Sequence, residues 1–100
     1  MSVLIVARVA GDTGAFQKGI ANRGQEFEAI AARARASGAI HHRFGVGEGF
    51  VMVVDEWESA EQFQQFFGDP ELQAFVRSVG LSGSEPEVLV AEEIASPDRF

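Results

Sequence analysis

The chain has 100 residues, no cysteine, and 15 acidic against 8 basic side chains, which gives a formal net charge of −7. The lack of cysteine excludes disulfides, thiolate metal sites and a cysteine nucleophile, and the negative charge disfavours nucleic acid and anionic membrane surfaces as partners. Because 46% of the residues are hydrophobic, residues 1–100 are expected to form one domain that buries a core without metal or disulfide support.

No targeting or membrane segment is expected from the sequence. Met1 is followed directly by a strand-like apolar run, without a basic flank or a small-residue cleavage site. No apolar stretch approaches the about 20 residues that span a bilayer. We therefore expect a soluble, cytoplasmic protein.

The first predicted element is a strand at residues 3–9. Its side chains alternate between two faces, and both faces are apolar except at Arg8. Since an unpaired charge in a buried strand is costly, Arg8 is expected to have a partner. The candidate partners, inside the fold or across a dimer seam, are the carboxylates of Asp55, Glu56, Glu92 and Glu93. An acidic or phenolate ligand is the functional alternative.

A long helix is expected between Gly11 and Gly38, with Asp12 or Thr13 as its cap. Its apolar residues fall near one helical face, and they are Phe16, Ile20, Phe27, Ile30, Ala31 and Ala34. Two glycines in its middle each weaken the helix by roughly 1 kcal/mol relative to alanine. This composition predicts a break or kink near Asn22.

Residues 40–57 predict a β-hairpin, with strands at 40–46 and 50–57 joined by a glycine-rich turn. The first strand is apolar on one side and polar on the other, which is typical of a sheet edge, whereas the second is apolar on both sides. Neighbouring residues of a strand point to opposite faces, so His41 and His42 cannot both bind one metal ion in simple geometry.

Two short helices and a strand complete the predicted elements. Ser59 and Gln62 form a capping box for the first helix. Asp69 and Pro70 give the second helix a cap followed by proline at its first position. The last strand is predicted at residues 88–94. The remaining segments are a loop at residues 81–85 and a tail at residues 95–100.

This order of elements is the ferredoxin-like split βαβ arrangement of an α+β fold. Right-handed crossovers place the first and third strands in the centre of the antiparallel sheet, in agreement with their two apolar faces. Helices cover only one face of such a sheet, so the other face needs a different cover. A second copy of the chain, packed face to face as a two-fold dimeric α+β barrel, is the simplest solution. The alternative is that residues 95–100 fold across the sheet.

A strand that ends in tryptophan is followed by an acidic helix start and two short aromatic helices. The residues that form this pattern are residues 53–61, Phe63, Phe66, Phe67, Pro70, Leu72 and Phe75. The pattern resembles the dimeric α+β barrel superfamily, which includes the antibiotic biosynthesis monooxygenases. The resemblance implies a homodimer that needs no cofactor and binds an apolar or aromatic metabolite, with cofactor-independent oxygenation as its enzymatic activity.

The chain also departs from that family at several positions. Oxygenases of the family often carry a histidine on the helix after the tryptophan, where this chain has Phe66 and Phe67. A second histidine commonly follows the proline, where this chain has Glu71. Haem-degrading relatives use a helix histidine and an asparagine on the first strand, and that strand offers Arg8 instead. Haem degradation is therefore disfavoured.

The candidate catalytic residues are His42, Asp55 and Trp57. His42 shares a face with apolar side chains and is a candidate base, or else a hydrogen-bonded histidine at a sheet edge. Asp55 could orient a substrate hydroxyl or take a proton, or else lie at a solvated strand end. Trp57 is expected on the wall of a pocket, with core packing as the alternative. No serine–histidine–acid set and no cluster of metal ligands is found in the sequence.

Candidate substrate-binding residues are Arg8, Trp57, Phe63 and Phe67, of which the phenylalanines at helical spacing are also expected in the core. Two hypotheses follow. In the first, the chain is a homodimer that binds an apolar or aromatic metabolite between helices and sheet, with cofactor-independent monooxygenation as its chemistry. In the second, it is a non-catalytic assembly or regulatory module whose interior is filled.

Overall fold

The computed structural model describes residues 2–81 and 85–100, where an antiparallel sheet is packed against helices. The strands are β1 (Val3–Ala10), β2 (Ala39–Gly47), β3 (Phe50–Trp57) and β4 (Glu87–Glu92). The helices are α1 (Thr13–Asn22), α2 (Gly24–Ser37), α3 (Ala60–Phe67) and α4 (Pro70–Ser78). Residues 82–84 of the predicted loop lie outside the described residues.

The sheet has the strand order β2-β3-β1-β4, and all three neighbouring pairs are antiparallel. This order confirms the α+β fold with split βαβ topology and places β1 and β3 in the centre, as predicted. β4 ends at Glu92, two residues before the predicted end. Ile94 lies beyond the strand and is 74% exposed.

The long helix predicted between the first two strands is divided at Arg23, which confirms the break expected near Asn22. Arg23 caps the end of α1 and also precedes α2. Its guanidinium then crosses to α4, where it donates to Ser78 Oγ at 2.7 Å and lies 4.6 Å from the ring centre of Phe75. Within residues 2–81 and 85–100, no helix is long and apolar enough to cross a bilayer.

Three predicted caps are present. The side chains of Asp12, Ser59 and Asp69 accept hydrogen bonds from backbone N–H groups in the first turns of α1, α3 and α4, at 3.0, 3.1 and 3.2 Å. Pro70 occupies the start of α4, where a missing N–H is harmless. These local signals fix where α1, α3 and α4 begin, whereas α2 begins at Gly24 without a side-chain cap.

The two faces of the sheet differ in their cover. Side chains of β1 alternate strictly between buried and exposed, because the helices cover one face only. On the open face, apolar side chains are between 37% and 72% exposed, and they are Leu4, Val6, Met52, Val54 and Leu89. Cross-strand register brings them together, since Val6 lies opposite Val54 on one side and Leu89 on the other.

The core on the covered face is divided into two clusters. One contains Ile5 and Trp57, and the other contains Val9 and Phe16. Between Ile5 and Val9 on the same face of β1 lies Ala7, whose methyl group is too small to join the two clusters. The buried side chains therefore form two separate clusters along β1, although Ala7 itself is covered and only 1% exposed.

A pH-dependent contribution to stability is predicted at the start of α4. The Arg33 guanidinium of α2 and the Glu71 backbone N–H lower the pKa of Asp69 below its ordinary value. Because the folded-state pKa is the lower one, the contribution is fully present above the ordinary aspartate pKa of about 3.9 and is lost as the pH falls through the lowered value. Asp69→Asn keeps a good cap but removes the charge.

Urea denaturation of the wild type and of Asp69→Asn tests this assignment. The wild type should have the higher midpoint at about pH 7, and the difference should shrink under strongly acidic conditions. In a double-mutant cycle, Arg33→Met should add little to the effect of Asp69→Asn, because both remove the same pair. Equal midpoints for the two proteins at neutral pH would contradict the assignment.

Candidate functional site

A cavity of about 800 Å³ lies between the covered face of the sheet and the helices. Its floor includes Ala7 of β1 and Val53 of β3, and its roof includes Phe27, Ile30 and Ala31 of α2. The volume is within the range of about 300–1,000 Å³ found for small-molecule pockets. The interior is thus large enough for a metabolite of several rings.

Helix α2 spans the cavity without filling it. None of its residues is buried, whereas α1, α3 and α4 bury Phe16, Phe63 and Leu72 respectively. Its inward side chains include the small Ala31 and Ala34, which line the cavity. Since protein interiors are normally close-packed, an apolar helix face above empty space leaves room for an apolar molecule.

At one end of the cavity, His42, Asp55 and Trp57 form a hydrogen-bonded group. His42 Nδ1 lies 2.6 Å from Asp55 Oδ1, and Trp57 Nε1–H donates to Asp55 Oδ2 at 3.0 Å. Asp55 is 8% exposed and Trp57 is 1% exposed. All three side chains line the cavity. The expectation that Asp55 lies at a solvated strand end is therefore wrong, because both of its oxygens are paired inside the protein.

The register of the hairpin determines which histidine meets Asp55. A bulge between Ala39 and His41 places His42 directly opposite Asp55. With unbroken pairing from Ala39 onward, His41 would occupy that position, because a one-residue slip turns every side chain to the other face. His41 is instead 74% exposed and lies 3.9 Å from Glu56.

A carboxylate is an acceptor only, so a neutral His42 donates its Nδ1–H to Asp55 and keeps a lone pair on Nε2. Within the described part of the chain, Nε2 has no hydrogen-bond partner. Such an arrangement orients the ring and stabilises the imidazolium that forms when Nε2 takes a proton. The group is therefore equipped to act as a general base towards a bound hydroxyl.

Aromatic rings form the walls around this group. The ring centre of Trp57 lies 5.6 Å from that of Phe63 and 5.5 Å from that of Phe66. The rings of Phe63 and Phe67 are stacked, with their centres 5.3 Å apart. Phe44 lies with its ring centre 4.5 Å from that of His42. Phe63 and Phe67, which are candidate substrate-binding residues, line the cavity, and Phe44 lines it too, although it is not among the candidates from the sequence.

Arg8 lies away from the cavity. Its strand position directs it to the open face of the sheet, and its guanidinium lies 4.4 Å from the ring centre of Phe50. None of the ion pairs within residues 2–81 and 85–100 includes Arg8. The expected carboxylate partner is therefore not found within one chain, where the guanidinium is exposed, lies over an aromatic ring and stays hydrated.

Charged side chains at the cavity do not form a metal site. Arg35 of α2 and Arg77 of α4 line the cavity and are exposed to solvent, so they lie towards its mouth. Among the described residues, no group of three or more histidine, cysteine, aspartate or glutamate side chains could hold a metal ion.

Comparison with solved structures identifies the same fold at low sequence identity. A monooxygenase from the gene ActVA-Orf6 of Streptomyces coelicolor, in complex with the ligand nanaomycin D, gives a TM-score of 0.67 at 18% identity over 99% of this chain and 93% of that chain. SnoaB, a cofactor-independent oxygenase from Streptomyces nogalater, gives 0.58 at 14% identity over 98% of both chains. A dimeric ferredoxin-like protein from an uncultured marine organism gives 0.64 at 14% identity, over 99% and 93%.

No protein-family model matches the chain, and no curated protein matches it. The solved structures show that the chain has the ferredoxin-like α+β fold of antibiotic biosynthesis monooxygenase-like proteins. At these identities the likeness concerns the fold, so the function has to be argued from the cavity and its side chains.

Substitution on α2 tests whether the cavity is empty. Ala31 points into it and Ala29 is exposed on the same helix. Ala31→Leu should change the free energy of unfolding by less than about 0.5 kcal/mol relative to Ala29→Leu, because space for the larger side chain already exists. In a filled core the same change would cost about 1–3 kcal/mol. Urea denaturation measures the difference, and a loss in that higher range would contradict the cavity.

Proposed function

We propose that this chain, which has the fold of antibiotic biosynthesis monooxygenase-like proteins, is a homodimer that binds an apolar or aromatic metabolite and oxygenates it without a cofactor. One observation supports the proposal above all: an apolar cavity of about 800 Å³ has a hydrogen-bonded His42–Asp55 pair at its wall, in which the carboxylate is buried and the imidazole is partly exposed. Apolar walls with a small number of oriented polar groups are the usual composition of a small-molecule site.

The proposed chemistry begins with proton removal. His42 Nε2 takes a proton from a phenolic or enolic hydroxyl, and the electron pair stays on the substrate, which becomes an electron-rich anion. The resulting anion reacts with dioxygen directly. For a ring CH₂ that becomes a carbonyl, one oxygen atom enters the product and the other leaves as water, so the substrate supplies all the electrons. Phe63 and Phe67 exclude bulk water from this reaction.

The alternative of a non-catalytic assembly or regulatory module predicts a filled interior. Both the open volume beneath α2 and the absence of buried residues on that helix count against it. A role for Arg8 in substrate binding would require a ligand on the open face, and it is not part of the proposal for the cavity. The single domain at residues 1–100 and the cytoplasmic location stay predictions from the sequence.

The homodimer is proposed from the open face of the sheet. Its apolar side chains form a contiguous patch around Val6, and no helix covers them. Patches of this kind on a sheet are commonly interaction surfaces. Face-to-face packing of two sheets around a two-fold axis buries the same patch on both copies.

Oxygen consumption tests the enzymatic part of the proposal. With a polycyclic phenol as substrate, the wild type should consume dioxygen, and His42→Ala should lower the rate by about 10²–10⁴-fold, the usual loss of a general base. His41→Ala is the matched control and should leave the rate unchanged, because this neighbour is exposed and does not contact Asp55. Equal rates for wild type and His42→Ala would remove His42 from the mechanism.

The dimer is tested separately by sedimentation velocity. Val6→Lys should weaken self-association at least about 30-fold, since an unpaired charge buried at an interface costs about 2–5 kcal/mol. Ile20→Lys is the control, because Ile20 is 41% exposed, close to the 37% of Val6, but lies on α1. A wild-type chain that sediments as a folded monomer at micromolar concentration would contradict the proposed dimer.

A further inference from the structure

The hydrogen-bond donors of the group at the cavity wall are all used within the group. Trp57 has a single polar hydrogen, on Nε1, and donates it to Asp55 Oδ2 at 3.0 Å. His42 Nδ1 lies 2.6 Å from the other oxygen of Asp55. An indole N–H only donates and a carboxylate only accepts, so the directions of both bonds follow from the chemistry of the groups. What remains for a ligand is the lone pair of His42 Nε2.

Other side chains that line the cavity carry donors, but these donors lie outside the group formed by His42, Asp55 and Trp57. The phenylalanine walls carry no polar hydrogen. One N–H of the Gln73 side-chain amide donates to the backbone carbonyl of Phe67, and the amide carries a second N–H. Arg35 and Arg77 are exposed to solvent, and their guanidinium groups can donate to another part of a ligand. The part of the wall formed by His42, Asp55 and Trp57 therefore offers a ligand an acceptor and no donor.

We infer that the cavity selects ligands by the hydrogen they donate: an aromatic hydroxyl is held at His42 Nε2, and the matching ether or carbonyl compound is not. This inference rests on the proposed function for its site and names the substrate class within it. Trp57 and Asp55 then act as positioning residues. Trp57 orients the Asp55 carboxylate, Asp55 fixes the tautomer of His42, and only His42 meets the polar group of the ligand.

The same arrangement accounts for both proton transfer and product release. During the transfer, the O–H bond of the ligand breaks, an Nε2–H bond forms, and the electron pair of the broken bond stays on the ligand oxygen. The positive charge on His42 is balanced by the adjacent Asp55 carboxylate. The oxygen atom that leaves as water takes the proton from His42 Nε2, which makes the ring neutral again. A carbonyl product has no hydrogen to donate to Nε2, so it lacks the bond that held the substrate.

Asp55→Asn is expected to reverse the preference for a hydroxyl over a carbonyl, because Trp57 fixes the orientation of the new amide. The indole N–H of Trp57 requires an acceptor, so it binds the amide oxygen, and the NH₂ group is then directed towards His42 Nδ1. Nδ1 must then accept, and the ring proton moves to Nε2. His42 Nε2–H then donates a hydrogen bond to the ligand instead of accepting one. With Trp57→Phe added to Asp55→Asn, the amide is free to rotate, and the original tautomer should recover.

The tautomers are measured without a ligand. At about pH 8, above the ordinary range of histidine titration, ring ¹⁵N spectra should show the His42 proton on Nδ1 in the wild type and on Nε2 in Asp55→Asn. His41→Ala assigns the two histidine signals. A wild-type His42 with its proton on Nε2 overturns the inference, and this result does not depend on whether Asp55→Asn folds.

Ligand preference is measured by calorimetry with 2-naphthol, 2-methoxynaphthalene and 1,4-naphthoquinone as probes. The wild type should bind the naphthol about tenfold more tightly than the ether, which is the effect of one net hydrogen bond. Asp55→Asn should lose that preference and gain affinity for the quinone. Equal affinities of the wild type for the naphthol and the ether overturn the inference, but they would still show that the cavity binds aromatic molecules. Failure of all three probes to bind, with the expected tautomers, overturns the proposed function instead.

Discussion

The buried carboxylate of Asp55 is the constraint on which the arrangement of the site depends. A charge inside an apolar core is tolerated only when its oxygens are hydrogen-bonded. Trp57 satisfies one oxygen and His42 the other. Both oxygens are paired only when β2 and β3 pair in one register. In that register, a bulge between Ala39 and His41 brings His42 rather than His41 opposite the carboxylate. The hydrogen bonds that make Asp55 tolerable also determine which ring nitrogen faces the cavity.

A second constraint is that the side chains in the middle of the core are too small to fill it. Ala31 and Ala34 on α2 and Val53 on β3 line a space that larger side chains would fill. An unfilled cavity gives up favourable contacts and lowers stability, so α2 is held instead by polar and aromatic contacts at its edges. Arg33 pairs with Asp69, and Phe27 makes edge contacts with neighbouring rings. A bound apolar ligand would restore the missing contacts.

The fold could be predicted from local sequence patterns. Alternation along β1 and β3 predicted the central strands, and the caps at Ser59 and Asp69 predicted where α3 and α4 begin. Burial of Asp55 could not be predicted, because an acidic residue near a strand end is usually solvated and its pairing depends on a bulge that sequence alternation does not reveal. Arg8 was given a carboxylate partner for a similar reason: the pattern shows an interrupted strand but not an exposed face.

A crystal structure of the protein soaked with 2-naphthol would test the central claim most directly, namely that one histidine nitrogen in an apolar cavity receives a hydroxyl. The account predicts the naphthalene ring between α2 and the sheet, with its oxygen within hydrogen-bond distance of His42 Nε2. A naphthol whose oxygen contacts Trp57 Nε1 or the Asp55 carboxylate, or a ligand bound only on the open face of the sheet, would contradict it.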